Sequence, residues 1–371
     1  TSTSNYDLQS GTVSAILGGS VGLNKTTSGT ATLSNANTYT GLTTISGGSL
    51  AYGVSNAIST GGITINGADA NLNMGTYSDS VGAVTLTQGS ITGTGTLSST
   101  SGFTMNNTSN TSVSAILAGS VGLTKSGTGT LTLSGANTYT GTTTVNAGIL
   151  SLGRSGGTLA DTSAVQVSGG TLDVAYSDTV GAVTLSSGTI SGAGTLTGSS
   201  YNLTNSGTIS AALAGSGTLT KSGAGTVTLS GNNTYTGLTD IQAGTLSLGR
   251  SGGTIADTAS VQVSGGTLDV AYADTVGAVT LSSGTISGAG ILTGSSYNLT
   301  NSGTISAVLA GNGALFKSGA GTVTLSGANT YTGLTDVQAG TLAYGASDVI
   351  ANNASVKVSG GTLNIGANSD T

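Results

Sequence analysis

Proline, cysteine, tryptophan, histidine and glutamate are all missing from this 371-residue sequence, and charged residues make up only 5% of it. Each absence removes a class of architecture or chemistry. Without cysteine there is no disulfide framework, so a large exported fold must draw its stability from elsewhere, and the chain stays free to pass through a narrow pore. Without histidine or glutamate, the side chains left for acid–base chemistry are 13 aspartates. A net charge of −6 leaves no basic footprint, which sets nucleic-acid binding aside. No run of about 18 apolar residues is present to span a bilayer, so the chain is not expected to be membrane-embedded. Residues 1–5 lack the basic and apolar parts of a signal peptide, so either export signals have been removed or the chain is a fragment of a longer one.

What is present is glycine, at 65 positions, with threonine and serine crowding the rest. Hydrophobic residues still reach 36%, enough aliphatic surface to drive folding, so disorder is not expected. Self-similarity organises the chain. The pattern Asn-x-Tyr-x-Gly occurs at residues 37–41, 137–141, 233–237 and 329–333. Its tyrosines are spaced 139 − 39 = 100, 235 − 139 = 96 and 331 − 235 = 96, so one long unit is copied about four times.

Inside the unit, segments such as Thr130-Leu131-Thr132-Leu133 and Thr226-Val227-Thr228-Leu229 alternate with period two, the strand period, and no window sustains a helical one. Ser-Gly, Ala-Gly or Gly-Gly closes each strand after about 4–6 residues. Three such strands with their bends make a coil of about 20 residues, so one unit holds about five coils stacked about 4.8 Å apart. A barrel or sandwich also has short strands between turns, but a barrel closes at a fixed strand number, whereas near-identical units suit an open stack. The expected fold is therefore all-β: a right-handed parallel β-helix (β-solenoid) of about 18–19 coils and about 90 Å, without substantial helix. It is expected to form a single continuous domain over residues 1–371.

In such a stack Leu131, Leu133, Val145, Leu150 and Leu152 become rungs of a narrow aliphatic core, repeated as Val227, Leu229, Ile241, Leu246 and Leu248 and then as Val323, Leu325, Val337, Leu342 and Tyr344. Outward threonines favour extended backbone and keep the wall wet without charge. The chain begins and stops inside the repeat, which predicts that the native chain continues or that copies stack end to end.

Residues 127–153, GTGTLTLSGANTYTGTTTVNAGILSLG, resemble the autotransporter-associated β-strand repeat, also called the passenger-associated transport repeat, with copies at 27–53, 223–249 and 319–345. The first copy departs slightly, with Asn35 where Gly135 stands and Ala31 where Leu131 stands. The resemblance implies a passenger domain of type V secretion, displayed at the cell surface or outside the cell. It also implies export through an outer-membrane β-barrel translocator of the same polypeptide. It points to a structural stalk or filament segment, acting as a rigid rod in adhesion, aggregation or an extracellular layer, and not to an enzyme.

Four site hypotheses accompany that reading. Asn37, Tyr39, Asn137, Tyr139, Asn233, Tyr235, Asn329 and Tyr331 form either a sugar-contacting platform, as in a glycan-binding or biofilm adhesin, or a structural turn; turn chemistry favours the second. A polysaccharide-degrading enzyme needs paired carboxylates, but Asp161/Asp257, Asp173/Asp269, Asp178/Asp274 and Asp240/Asp336 are each one repeat apart. Five coils put such partners about 24 Å from one another, too far to act together. They are expected to sit in turns or, for Asp240 and Asp336, on the exposed wall, with Arg154 and Arg250 pairing weakly to Asp161 and Asp257. Ice binding would require Thr-x-Thr triplets in every coil, and the triplets return once per unit. Gly-Gly-x-Gly-x-Asp calcium motifs are absent, and no catalytic residue, metal or cofactor is expected. The expected partners are the translocator, other copies of the chain and cell-surface glycans.

Overall fold

A computed structural model describes residues 2–370. The chain is a parallel β-solenoid of about 19 coils without helix among the described residues. It divides into two compact units, Thr1–Ala182 with Gly188–Leu196, and Val183–Ser187 with Thr197–Thr371. Both are built in the same way.

In the first unit, one side of the coil is the series Leu23–Lys25, Thr43–Ile45, Ile63–Ile65, Val84–Leu86, Phe103–Met105, Leu123–Lys125 and Thr143–Val145. Each pairs in parallel register with the next. Register partners are 43 − 23 = 20, 63 − 43 = 20, 84 − 63 = 21 and 103 − 84 = 19 residues apart, the coil length expected from strand arithmetic. A second side runs through Thr111–Val113, Thr130–Leu133 and Ile149–Leu152, again parallel. The third is regular only in places, as in Asp79–Val81, Thr96–Ser99 and Ile116–Ala118. Elsewhere loops replace it. Most strands are only three or four residues long, shorter than the alternation suggested, because three sides and three bends must fit into one coil.

Three-residue strands of the Leu23–Lys25 series place their first and third side chains inward, whereas those on the second side, such as Thr267–Asp269 and Thr285–Ser287, place the middle one inward. On one side of the second unit, Val227, Leu246, Leu268, Ile286 and Ile305 are successive register partners. All are buried. Every rung residue expected from the sequence is likewise buried, Tyr344 the least so at 8%. Each such aliphatic side chain contributes about 1.5–3 kcal/mol before entropy is subtracted. The outward middle positions form columns: Thr44, Thr64, Thr85, Thr104, Thr124 and Thr144 follow one another on consecutive coils. Threonine therefore recurs in every one of these coils, as single residues flanked by inward side chains and not as triplets.

Candidate functional site

The most elaborate side-chain arrangement recurs once per repeat, around the Asn-x-Tyr-x-Gly turn. The turn's own amides stay bonded to neighbouring coils, but the Leu117 amide of the preceding coil and nearby carbonyls need side-chain partners. Asn137 supplies them. Its Oδ1 accepts the Leu117 N–H at 2.9 Å, 20 residues back, and its Nδ2 donates to the Gly135 carbonyl at 3.1 Å and to Thr158 at 2.9 Å, 21 residues on. One amide thus ties three consecutive coils together. Asn233 repeats the pattern with Leu213, Gly231 and Thr254, and Asn37 with Leu17, Asn35 and Ala57. Asn329 binds Leu309 and Val349.

Two residues on, the tyrosine points inward. Tyr39, Tyr139, Tyr235 and Tyr331 are 0% exposed, so their rings offer no face to a sugar. Each hydroxyl shares a 2.7 Å hydrogen bond with a buried threonine hydroxyl four residues later, at Thr43, Thr143, Thr239 and Thr335. Each ring also lies 5.8–6.3 Å from an aromatic partner, Tyr6, Phe103, Tyr201 or Tyr297. Burial pushes the phenol pKa values upward; for Tyr331 the result is about 12.

Sequence reasoning passed over the third member, a buried lysine. Lys25, Lys125, Lys221 and Lys317 close the Leu-x-Lys strands and are 0% exposed. The Lys125 ammonium donates to the carbonyls of Gly127, in its own turn, and of Ala147, in the next coil, at 3.4 Å for the latter. Lys221 does the same with Gly223 and Ala243, and Lys317 with Gly319 and Ala339. Lys25 uses Thr27 and Gly47. Burial lowers all four lysine pKa values, Lys125 to about 8. The signal was available: the lysines lie 125 − 25 = 100, 221 − 125 = 96 and 317 − 221 = 96 apart, the tyrosine spacing.

Glycine completes the clasp. Gly48, Gly148, Gly244 and Gly340 have φ of 61–65°, and a Cβ on any of them would lie 2.3–2.4 Å from a carbonyl oxygen of the coil beneath. Only glycine takes that angle and that approach without strain.

Several expectations about the aspartates change. Asp336 is buried, 6% exposed, because Ser359 and Gln338 donate to its carboxylate and Lys357 stands 3.7 Å away. Asp240 is half-buried, held by Gln242 and Ser264. Asp173 and Asp269 accept from Ser151 and Ser247 one coil away. Asp178 and Asp274 are 4% exposed and bind amides of the preceding coil, Thr158 and Leu159 for one, Thr254 and Ile255 for the other, with the adjacent Thr179 and Thr275 amides also acting on them. The expected Arg154–Asp161 and Arg250–Asp257 pairs do not form. Arg154 donates to the Gly156 and Gly157 carbonyls, and Arg250 to those of Gly252 and Gly253. These glycines have positive φ, which turns their carbonyls toward the guanidinium.

A solenoid whose repeat is closed by an internal asparagine, tyrosine and lysine is a repeat-built β-fold in kind. The family model of the passenger-associated-transport-repeat matches residues 23–51, 123–152, 219–248 and 315–343. The chain therefore carries four passenger-associated transport repeats of the autotransporter passenger type. Each match contains its lysine, asparagine, tyrosine and glycine. No curated protein and no solved structure matches the chain.

Proposed function

We propose that the chain is a structural segment of an exported passenger domain, a stiff stalk displayed at the bacterial surface or outside the cell. On this reading it is carried through an outer-membrane β-barrel translocator and serves adhesion, aggregation or an extracellular layer as a rod and not as a catalyst. The clasp carries the reading: four times, the most specific side chains of the sequence are spent inside the fold, joining one coil to the next. Four transport repeats support export, and the uncharged hydroxyl wall supports a role in which the surface stays wet without attracting nucleic acid or anionic lipid.

Two experiments test it. Electron micrographs of the purified chain should show rods, and compact globules would refute the stalk. Fused to an outer-membrane translocator barrel, the chain should be reached by antibody on intact cells. A fusion that stays inside would refute export.

A further inference from the structure

The segments GRSGGTLADTS at residues 153–163 and GRSGGTIADTA at residues 249–259 are the longest near-identical loops in the chain, and the clasp uses only part of them. In the second, Asp257 and Asp274 line an open cavity of about 310 Å³ together with Gly252, Gly253 and Thr275. Asp274 is 4% exposed. Its Oδ2 accepts the amides of Thr254 and Ile255 at 3.1 and 3.0 Å, whereas its Oδ1 is buried with no full hydrogen bond, only the field of the adjacent Thr275 amide acting on the carboxyl group. The one cation nearby does not compensate it: the Arg250 guanidinium turns to the Gly252 and Gly253 carbonyls, and no ion pair to Asp257 or Asp274 forms. A Cβ on Gly253 would lie 3.5 Å from that orphan oxygen, and the φ of 95° at this position reserves it for glycine.

The first unit repeats this arrangement. Asp178 is 4% exposed, its Oδ1 lacks a full hydrogen bond, its Oδ2 accepts from Thr158 and Leu159, and Arg154 is drawn to Gly156 and Gly157. The corresponding aspartate of the first repeat, Asp79, differs. There Oδ1 accepts the Ser80 amide at 2.7 Å, Oδ2 accepts Ile58, and the loop at residues 53–60 has neither arginine nor a second aspartate.

A buried carboxylate oxygen with no full hydrogen bond, beside a second carboxylate, is costly unless something positive meets it. The side chains that bring polar atoms to the cavity lining are two carboxylates, Asp257 and Asp274, and two threonine hydroxyls, Thr275 and Thr293, all of them oxygen donors to a cation. That set suits a hard cation with flexible coordination and several retained waters, Ca²⁺ before Mg²⁺ or a transition metal. We propose that Asp257 with Asp274, and Asp161 with Asp178, form two equivalent calcium-binding sites, each joining a Gly-Gly loop to the coil that follows it. With two carboxylates apiece and the rest of the shell from water, affinity belongs in the range of extracellular modules, about 10⁻⁴–10⁻³ M.

The test is calcium titration by calorimetry, with Tb³⁺ luminescence sensitised by tyrosine as a second reading; Tyr176 and Tyr272, each two residues before a site aspartate, are half exposed. The expected stoichiometry is two per chain. Asp257→Asn alters an exposed side chain, should leave the fold intact and should reduce the count to one. Asp161→Asn with Asp257→Asn should abolish binding, and Asp79→Asn should leave it at two. No saturable binding up to about ten times the upper affinity limit, or a stoichiometry unchanged in the double variant, would overturn the proposal.

Discussion

If the Asn-x-Tyr-x-Gly turn is an internal clasp, removing its amide should loosen three coils at once. In Asn137→Ala the Leu117 N–H, which the Asn137 Oδ1 accepts at 2.9 Å, is left buried without a partner. An orphaned buried donor costs about 1–3 kcal/mol. The Thr158 carbonyl keeps the Asn137 backbone N–H at 3.0 Å, so losing the side-chain donor there and at Gly135 adds only about 0.5–1.5 kcal/mol. The sum is about 1.5–4.5 kcal/mol, a large share of the 5–15 kcal/mol typical of a folded domain. Asn137→Asp keeps the acceptor for Leu117 but sets a carboxylate against two carbonyl oxygens, so it should destabilise further at pH 7 and recover on acidification. Guanidinium unfolding gives the loss, and amide exchange at Leu117 locates it, since a stacked-coil protein can open locally before it unfolds as a whole. An Asn137→Ala midpoint within about 0.5 kcal/mol of the parent, with Leu117 still protected, would refute the clasp, because surface substitutions fall within that margin.

Further outcomes follow from the same geometry. Gly148→Ala places a Cβ 2.3 Å from the Gly127 carbonyl at a φ of +63°, and should cost at least about 2 kcal/mol by thermal unfolding, where an ordinary loop glycine tolerates alanine. Tyr139→Phe removes only the hydroxyl bonded to Thr143 and should cost about 1 kcal/mol, against about 3–5 kcal/mol for Tyr139→Ala. Lys125 is lowered from 10.5 to about 8 by burial, so above pH 8 the unfolded chain holds more protons than the folded one. Stability should therefore rise between pH 8 and about 9.5, before tyrosine ionisation intervenes, and Lys125→Met should reduce that rise while Lys25, Lys221 and Lys317 keep their share; a midpoint falling over this window would contradict the lowered lysine pKa values.

The core was legible in the sequence because a two-residue period is a geometric consequence of the strand. Leu131, Leu133, Val227 and Leu229 could point only inward once their threonine neighbours pointed out. The turn was legible as a structural corner with a packed tyrosine and an asparagine serving loop backbone, but the partners of that tyrosine were not. Tyr139 stands among threonine, asparagine and glycine, on the irregular side of the coil where alternation says nothing, and its partners Phe103 and Thr143 belong to other segments of the chain. Lys125 was invisible for a related reason. A lysine at a strand end reads as a solvated charge until the next coil is in place and brings the Ala147 carbonyl down onto it. Arg154 misled in the opposite direction, since the nearby Asp161 made an attractive partner and only the left-handed Gly156–Gly157 pair shows why the guanidinium turns away. For the tyrosine and the lysine the missing information lay in part between coils, and for the arginine in the backbone of its own loop.

The most direct test is whether neighbouring coils lie in parallel register. The chain has no native cysteine, so nitroxide labels can be placed at will. Labels on Thr124→Cys and Thr144→Cys, outward register partners one coil apart, should sit about 4.8 Å apart at the backbone and show spin exchange in the electron paramagnetic resonance spectrum. Labels on Thr124→Cys and Gln166→Cys, two coils apart at about 9.6 Å, should show dipolar broadening without exchange. Strong coupling in the second pair and none in the first, as hairpins or facing antiparallel sheets would give, would contradict the solenoid.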